Sequence, residues 1–519
     1  MELYGIGFCA FTRYNMVCEL SESDFHLLSL KRTKEGSLHR RTHFTGAKER
    51  THKTERFAWI VMKSECVLSF TFLLLFVSET VNMGKTRIVG LDLVKGIAIF
   101  MMIIVHSVTQ VIADYDGGVF LDIKEKLPPI VVYIVIYPLV IIGLWGTVFT
   151  FVTGITTTLS CIRILDTNKR AFGVYLFQRF VFLVLLRLGE CICDTVFAKD
   201  YDVFNNKEIR WPVVKLAGNA TTLDSIGWTG LIAPIVTYLL LPVIKKGNRW
   251  MIILCYTLLF YALFAISPWV IQAFDWLSKE SYAHNMGLLG DIFGKVCYGR
   301  FKIAQTSAFA VAGSMFGCLI HHQASIGFMA WVSSAYFVIG VAVFVIWLLI
   351  DSSFLMDIVS ENVPLPAHML SFGCITAFTF IHCYFVDGDR PVEKKYKSRK
   401  RCTFQFRLGM VSLTVFCVGG WVARQLALPY EVLFGLPCQH DPPKLLWNVW
   451  ECLLYIVYVQ VAWLLISYLW EKVDFKLSLE YILGYTLAKM VGKEYIPHTR
   501  KFVYGPAEEM KEGLRLVGV

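Results

Sequence analysis

The chain has 519 residues, 56% of them hydrophobic and 17% charged, against about 25% charged in an ordinary soluble protein. Repeated apolar runs of 18 or more residues exclude a single soluble domain, and because they do not alternate they exclude a transmembrane barrel. The net charge of +10 is dispersed among loops, which marks orientation in a membrane and not a nucleic-acid footprint.

Residues 1–82 differ in composition from the rest of the chain. Leu30–Arg56 is polar, basic and without hydrophobic period, the composition of a disordered segment. Cys66–Val77 is an apolar run of the length of a signal core. A signal anchor is one reading. The composition break favours another, in which translation starts at Met83 and residues 1–82 are an upstream extension.

From Met83 the pattern predicts an all-α, polytopic membrane bundle of about ten spans. They are Ile88–Ile112, Pro129–Leu159, Ala171–Cys193, Leu223–Ile244, Trp250–Phe274, Arg300–Ile320, Gly327–Ile350, Ala367–Phe385, Phe404–Ala427 and Leu446–Trp470. The second is long for one upright helix and holds Pro138, Gly143, Gly146 and Gly154, so a kink or a re-entrant piece is expected. Basic loops (Arg163, Lys169, Arg170; Lys245, Lys246, Arg249; the run Lys394–Arg401) alternate with acidic or mixed ones (Asp114, Asp116, Asp122; Asp351, Asp357, Glu361). That alternation predicts both the Met83 end and the C-terminal tail in the cytoplasm. The tail, Glu471–Val519, contains an amphipathic stretch, Phe475–Val491, suited to a membrane surface.

The first span carries the most informative chemistry. Lys95 and His106 lie eleven residues apart, about three turns and about 16 Å, on one face. Asp92 joins that face one turn before Lys95. Ionisable residues are expensive inside a bilayer and mark function by default. With the predicted orientation, Lys95 lies near the cytoplasmic mouth and His106 toward the other leaflet. A phosphate-rich cytoplasmic molecule anchored at Lys95 would project a reactive end toward His106. Arg179 and Arg187, two turns apart on the third span, are further intramembrane cations, with Glu190 as a candidate partner. Asp224 stands where it can cap its helix. His321 and His322 fit a favourable helix-end interaction, and His382 and His440 are isolated. The 15 cysteines show no CxxC pair, and Cys191 and Cys193 are too close for an ordinary zinc site, so no metal is expected.

The string RIVGLDLVKGIAIFMMIIVHS resembles the first-helix signature of the transmembrane acyltransferase superfamily: Arg87, Leu91, Asp92, Lys95, Gly96, Ala98 and His106 match in order and spacing. Phe149–Ser160, Gln178–Gly189, Leu223–Leu231 and Ala308–Leu319 are compatible with later segments of that pattern. The heparan-α-glucosaminide N-acetyltransferase-like branch is the better fit, through Leu223, Ile226 and Gly227 and the small-residue second helix. Its close competitor, the acyltransferase-three family, has an Arg-x-x-Arg pair that is absent here, since Phe182 follows Arg179 at that spacing. Asp224 stands where many relatives of the first branch have His. The resemblance covers roughly residues 87–319, an acyltransferase-like core within 83–325. Residues 326–470 read only as additional spans and 471–519 as the tail.

The resemblance implies transfer of an acetyl or other acyl group from cytosolic acyl-CoA, as co-substrate, to a glycan or sugar-like acceptor at the opposite membrane face. It makes His106 the base or acyl acceptor and puts Asp92 in the catalytic set, paired with Lys95 or Arg87 to orient the mouth. Lys95, Arg87, Arg179 and Arg187 become contacts for CoA, and Asp224 and Thr153 contacts for the acceptor. Membrane lipid is the other implied partner; nucleic acid is not, and a homodimer is left open. A multi-pass transporter or flippase, with the buried charges lining a substrate path, is the alternative class.

Overall fold

A computed structural model describes residues 88–114, 118–119, 122–123, 146–167, 171–196, 220–299, 301–350, 363–388, 391–490 and 503–504. The readings on residues 1–82, on Arg87, on residues 129–145 and on the end of the tail lie outside them.

The described chain is a helical bundle. In chain order it forms α1 (Val89–His106, continued by a π-helical turn, Ser107–Ile112), α2 (Gly146–Thr167), α3 (Ala171–Val196), α4 (Thr222–Leu239), α5 (Leu241–Lys245), α6 (Arg249–Ala283), α7 (Gly287–Cys297) and α8 (Ile303–His321). It continues with α9 (Ile326–Ile350), α10 (Leu365–Asp387), α11 (Val392–Arg401), α12 (Thr403–Met410), α13 (Ser412–Phe434), a hairpin of β1 (Cys438–His440) and β2 (Pro443–Leu445), α14 (Val449–Glu471) and α15 (Leu479–Met490).

Among the described residues eight helices are long and apolar enough to cross a membrane: α1 with its π turn, α2, the Ala171–Gly189 part of α3, α6, α8, α9, α10 and α14. Two of the ten expected spans take another form. The stretch Leu223–Ile244 divides at Leu240 into α4 and α5, and α4 carries Thr222, Asp224, Ser225 and Thr229, all buried. It packs against α2, α3 and α8 and leaves Ile235, Tyr238 and Leu239 near its end exposed. Phe404–Ala427 is broken at Val411, where α12 and α13 meet at 93°.

Exposure is reversed relative to a water-soluble protein. On α3, Val174, Phe177, Phe180, Val184 and Leu188 are all exposed and follow helical spacing along one stripe. On α14, Trp450, Leu453, Leu454, Val457, Val461 and Leu465 do the same. The centre is α8, in which every residue from Ala308 to Ile320 is buried; a helix apolar all round belongs inside a bundle.

Helices of this centre touch through small residues, as expected where lipid supplies no hydrophobic drive to associate. A Cβ on Gly154 of α2 would lie 2.5 Å from the Ala310 carbonyl of α8, and Gly313 of α8 lies against the α2 backbone at Phe151 and Gly154. We expect Gly313→Leu to destabilise the bundle by about 1–3 kcal/mol through overpacking. Thermal unfolding in detergent checks this; a wild-type melting curve would contradict the close approach.

The start of α1 is held from far along the chain. Ile88 offers no side-chain cap, so the first amides of α1 need another acceptor. Asp387, the last residue of α10, supplies it, accepting from Val89 N at 3.2 Å and Gly90 N at 2.6 Å. The carboxylate also complements the helix dipole. Gly90 permits the approach, since a Cβ there would meet Cys383 Cα at 2.6 Å.

The amphipathic tail stretch is anchored to the bundle. Glu480, in the first turn of α15, accepts from Leu413 N, Thr414 N and the Thr414 hydroxyl, capping α13 at the break. Burial pushes the Glu480 carboxyl up from its ordinary value. A carboxyl raised in the docked state binds its proton more tightly docked than free. The docked state is therefore most stable below the ordinary glutamate value and weakens as pH rises through the raised one. Hydrogen exchange of the α15 amides, corrected for intrinsic rates, should thus be slower at mildly acidic pH, and Glu480→Gln should flatten the dependence. An unchanged pH dependence in Glu480→Gln would contradict this.

Candidate functional site

The polar stripe expected on the first span is present on α1. Lys95 Nζ lies 2.8 Å from Asp92 Oδ1, with Asp92 buried and Lys95 partly so. His106 is the last α-helical residue. Beyond it the backbone widens into the π turn, where Ser107 Oγ donates to the Ile103 carbonyl (2.8 Å) and Thr109 Oγ1 to Val105 (2.9 Å). Hydroxyls that bond back to carbonyls compete with the helix ladder, and π turns recur at functional sites. His106 Nδ1 is buried and has no hydrogen-bond partner. The ring meets Phe416 of α13 edge-on at 6.2 Å.

Asp92 does not accompany His106. Fourteen residues of helix, about 21 Å of rise, separate them, and the Asp92 carboxylate is engaged with Lys95. Of the two partners expected for Asp92, Lys95 and Arg87, the described residues show the pairing with Lys95.

The stripe is walled by α12, α13 and α14, a part of the chain in which the sequence offered only further spans. The Gln405 backbone lies against Gly96, and Gln460 Nε2 donates to the Phe100 carbonyl at 3.2 Å. Past the π turn, Arg424 of α13 donates to Gln110 O (2.8 Å) and Asp114 Oδ1 (2.6 Å). His440 of the hairpin reaches Asp114 Oδ2 at 3.2 Å, and Leu445 N donates to Asp122 Oδ2 at 2.7 Å. This end of α1 is therefore closed by a clamp of α13 and the hairpin. At the other end of the stripe Arg407 of α12 donates to Glu471 (2.6 Å) and to the Tyr504 hydroxyl (3.0 Å).

A second polar cluster forms on α3, α4 and α7. Asp224 completes a capping box with Thr221, as its position predicts: Thr221 N donates to Asp224 Oδ2 (3.0 Å) and Asp224 N to Thr221 Oγ1 (3.3 Å). The same carboxylate faces Lys295 Nζ at 2.9 Å and Arg187 NH1 at 3.9 Å. Lys295 and Asp224 are each 5% exposed, so the pairing takes place out of contact with solvent. Sequence reading missed Lys295 because α7 is a short helix between spans. The available signal was one lysine in the otherwise apolar turn Phe293–Cys297.

Arg179 and Arg187 share α3 but not a site. Arg179 lies over the Tyr175 ring at 4.8 Å, and the Tyr175 hydroxyl donates to the Thr157 carbonyl of α2 at 3.1 Å. Thr153 is partly buried and offers its carbonyl to the Thr156 hydroxyl at 3.2 Å. Elsewhere, His321 Nε2 approaches Asp166 at 3.6 Å, and the His322 carbonyl accepts from Arg249 at 3.3 Å. Burial and the neighbouring His321 hold the His322 imidazole below its usual range. Both histidines tie helix ends together.

Chemically, the α1 stripe is the stronger candidate. It offers a fixed cation at one end and, three turns on, an imidazole nitrogen free to take a proton or to attack. The Asp224 cluster uses its carboxylate internally. Among the described residues no group of three or more His, Cys, Asp or Glu is gathered as metal ligands would be. Neither a known family model nor a curated protein matches this chain.

Proposed function

We propose that this protein is a membrane-embedded acyltransferase that carries an acetyl or other acyl group from cytosolic acyl-CoA to a glycan or sugar-like acceptor at the opposite face. The observation that supports it is the placement of His106, with an unpartnered Nδ1 at the α-to-π transition, three turns from the Asp92–Lys95 pair on one helix.

In this reading Lys95 holds a CoA phosphate as a point charge and Asp92 keeps Lys95 in place. His106 takes the proton of the acceptor hydroxyl or amine. The freed oxygen or nitrogen attacks the thioester carbonyl, the C–S bond breaks, and the imidazolium returns the proton to the departing thiolate. In the covalent variant His106 attacks the thioester first and passes the acyl group on. Arg187 and Asp224, engaged with one another and Lys295, hold α3, α4 and α7 together. Arg179, lying over Tyr175, serves the contact between α3 and α2.

The test is thioester turnover by the full chain in liposomes with radiolabelled acetyl-CoA, wild type beside His106→Ala. Histidine-dependent loss of thioester supports the reading, and equal turnover in both sinks the site. The transporter reading is favoured by one observation, the 93° break at Val411 beside partly buried Glu480, since broken helices recur at transport sites. A folded sample inert toward acetyl-CoA would shift the weight to it.

A further inference from the structure

Between Lys95 and His106 the wall of α1 carries polar side chains whose hydrogen-bonding capacity is unused. Gln405 of α12 sits at the level of Gly96, next to Lys95, and its Oε1 is buried without a partner. Gln460 of α14 spends its Nε2 on the Phe100 carbonyl, and its Oε1 is likewise buried and unpartnered. Trp463, one turn from Gln460 on the same face of α14 and 1% exposed, keeps its indole Nε1 unpartnered. His106 Nδ1 is a fourth such atom, on α1 itself, and both α12 and α14 pack against α1. A buried hydrogen bond left unmade costs the full desolvation of the group, and native proteins hold few of them. Four of them on α1 and the two helices packed against it point to a ligand with matching groups.

We propose that Gln405, Gln460 and Trp463 bind the amide-bearing arm of the thioester donor, the pantetheine chain that joins the phosphates of acyl-CoA to its sulfur. The inference rests on the acyltransferase reading and supplies its specificity residues. The arm carries two secondary amides and a hydroxyl. Two glutamine oxygens accept the two amide N–H groups, and the indole N–H donates to an amide carbonyl or the hydroxyl. Extended, the arm covers the rise of about 16 Å between Lys95 and His106. Gln405 then meets the amide nearer the phosphates, and Gln460 the amide nearer the sulfur.

The experiment uses the full chain in liposomes and two donors, acetyl-CoA and S-acetyl-N-acetylcysteamine, which keeps only the amide nearer the sulfur. Gln405→Leu should raise KM for acetyl-CoA by about fivefold to tenfold, the worth of one hydrogen bond, with kcat little changed, and should leave KM for the short donor at the wild-type value. Gln460→Leu should raise KM for both donors. Gln405→Met, unbranched like glutamine, repeats the first substitution should leucine disturb folding. Wild-type KM values in the variants, or an equal penalty on both donors from the Gln405 substitutions, would overturn the assignment and leave the acyltransferase reading standing. A wild-type protein that turns over neither donor would overturn that reading and this inference with it.

Discussion

His106→Ala should lose acyl transfer by about 10²–10⁴-fold, the range for removing a positioned general base, and by more if the acyl group passes through the imidazole. The same protein should insert and melt close to the wild type. His106 Nδ1 makes no hydrogen bond that the substitution could break, and losing a buried unpartnered polar atom offsets part of the packing lost with the ring. What is lost is the edge contact with Phe416. The separation of a large activity loss from a small stability loss is the discriminating result. A His106→Ala protein that is both inactive and unfolded would assign the histidine to packing. Rapid quenching of the wild type with labelled acetyl-CoA then divides the two chemical routes. Label on protein that depends on His106 marks an acyl-histidine; turnover without such label marks direct transfer.

Asp224→Asn should carry the largest stability cost among single substitutions, about 3–5 kcal/mol. It strips the charge that faces buried Lys295 and partly buried Arg187 while keeping the size of the side chain. The converse, Lys295→Met, should cost less, because Asp224 keeps Arg187 and its capping bonds to Thr221. The double variant should recover part of the Asp224→Asn loss, since one of the cations left behind is gone. Unfolding in detergent micelles reads all three. An Asp224→Asn protein within about 0.5 kcal/mol of wild type, the range of an ordinary surface change, would refute the carboxylate as the organising charge of α3, α4 and α7.

Local features were legible in the sequence. Apolar runs of span length located the helices, spacing on one helix placed Asp92, Lys95 and His106 on one face, and Thr221–Asp224 wrote its own cap. Three features were not legible, each for a physical reason. The α12–α13 break has no proline at the joint, and it is stabilised by Glu480, a residue about 70 positions later. Lys295 meets Asp224 only because α7 folds back against α6, so nothing in either local sequence marks the pair. The widened turn after His106 depends on where two hydroxyls send their hydrogen bonds, and a serine and a threonine in a helical run do not announce that. Asp92 was legible too: its spacing put it one turn from Lys95 on the same face, where the two side chains pair.

The capping of α1 by Asp387 has a consequence for how the protein is made. A ribosome releases the first span nearly 300 residues before it releases the carboxylate that pairs with Val89 and Gly90. Until then those amides depend on water or lipid headgroups, and the polar stripe lacks α12–α14 as its cover. Insertion of the first helix is therefore provisional, and its final seating waits for the last third of translation. A nascent chain arrested before residue 387 would present Asp92, Lys95 and His106 without their wall, the kind of unassembled membrane helix that quality control removes.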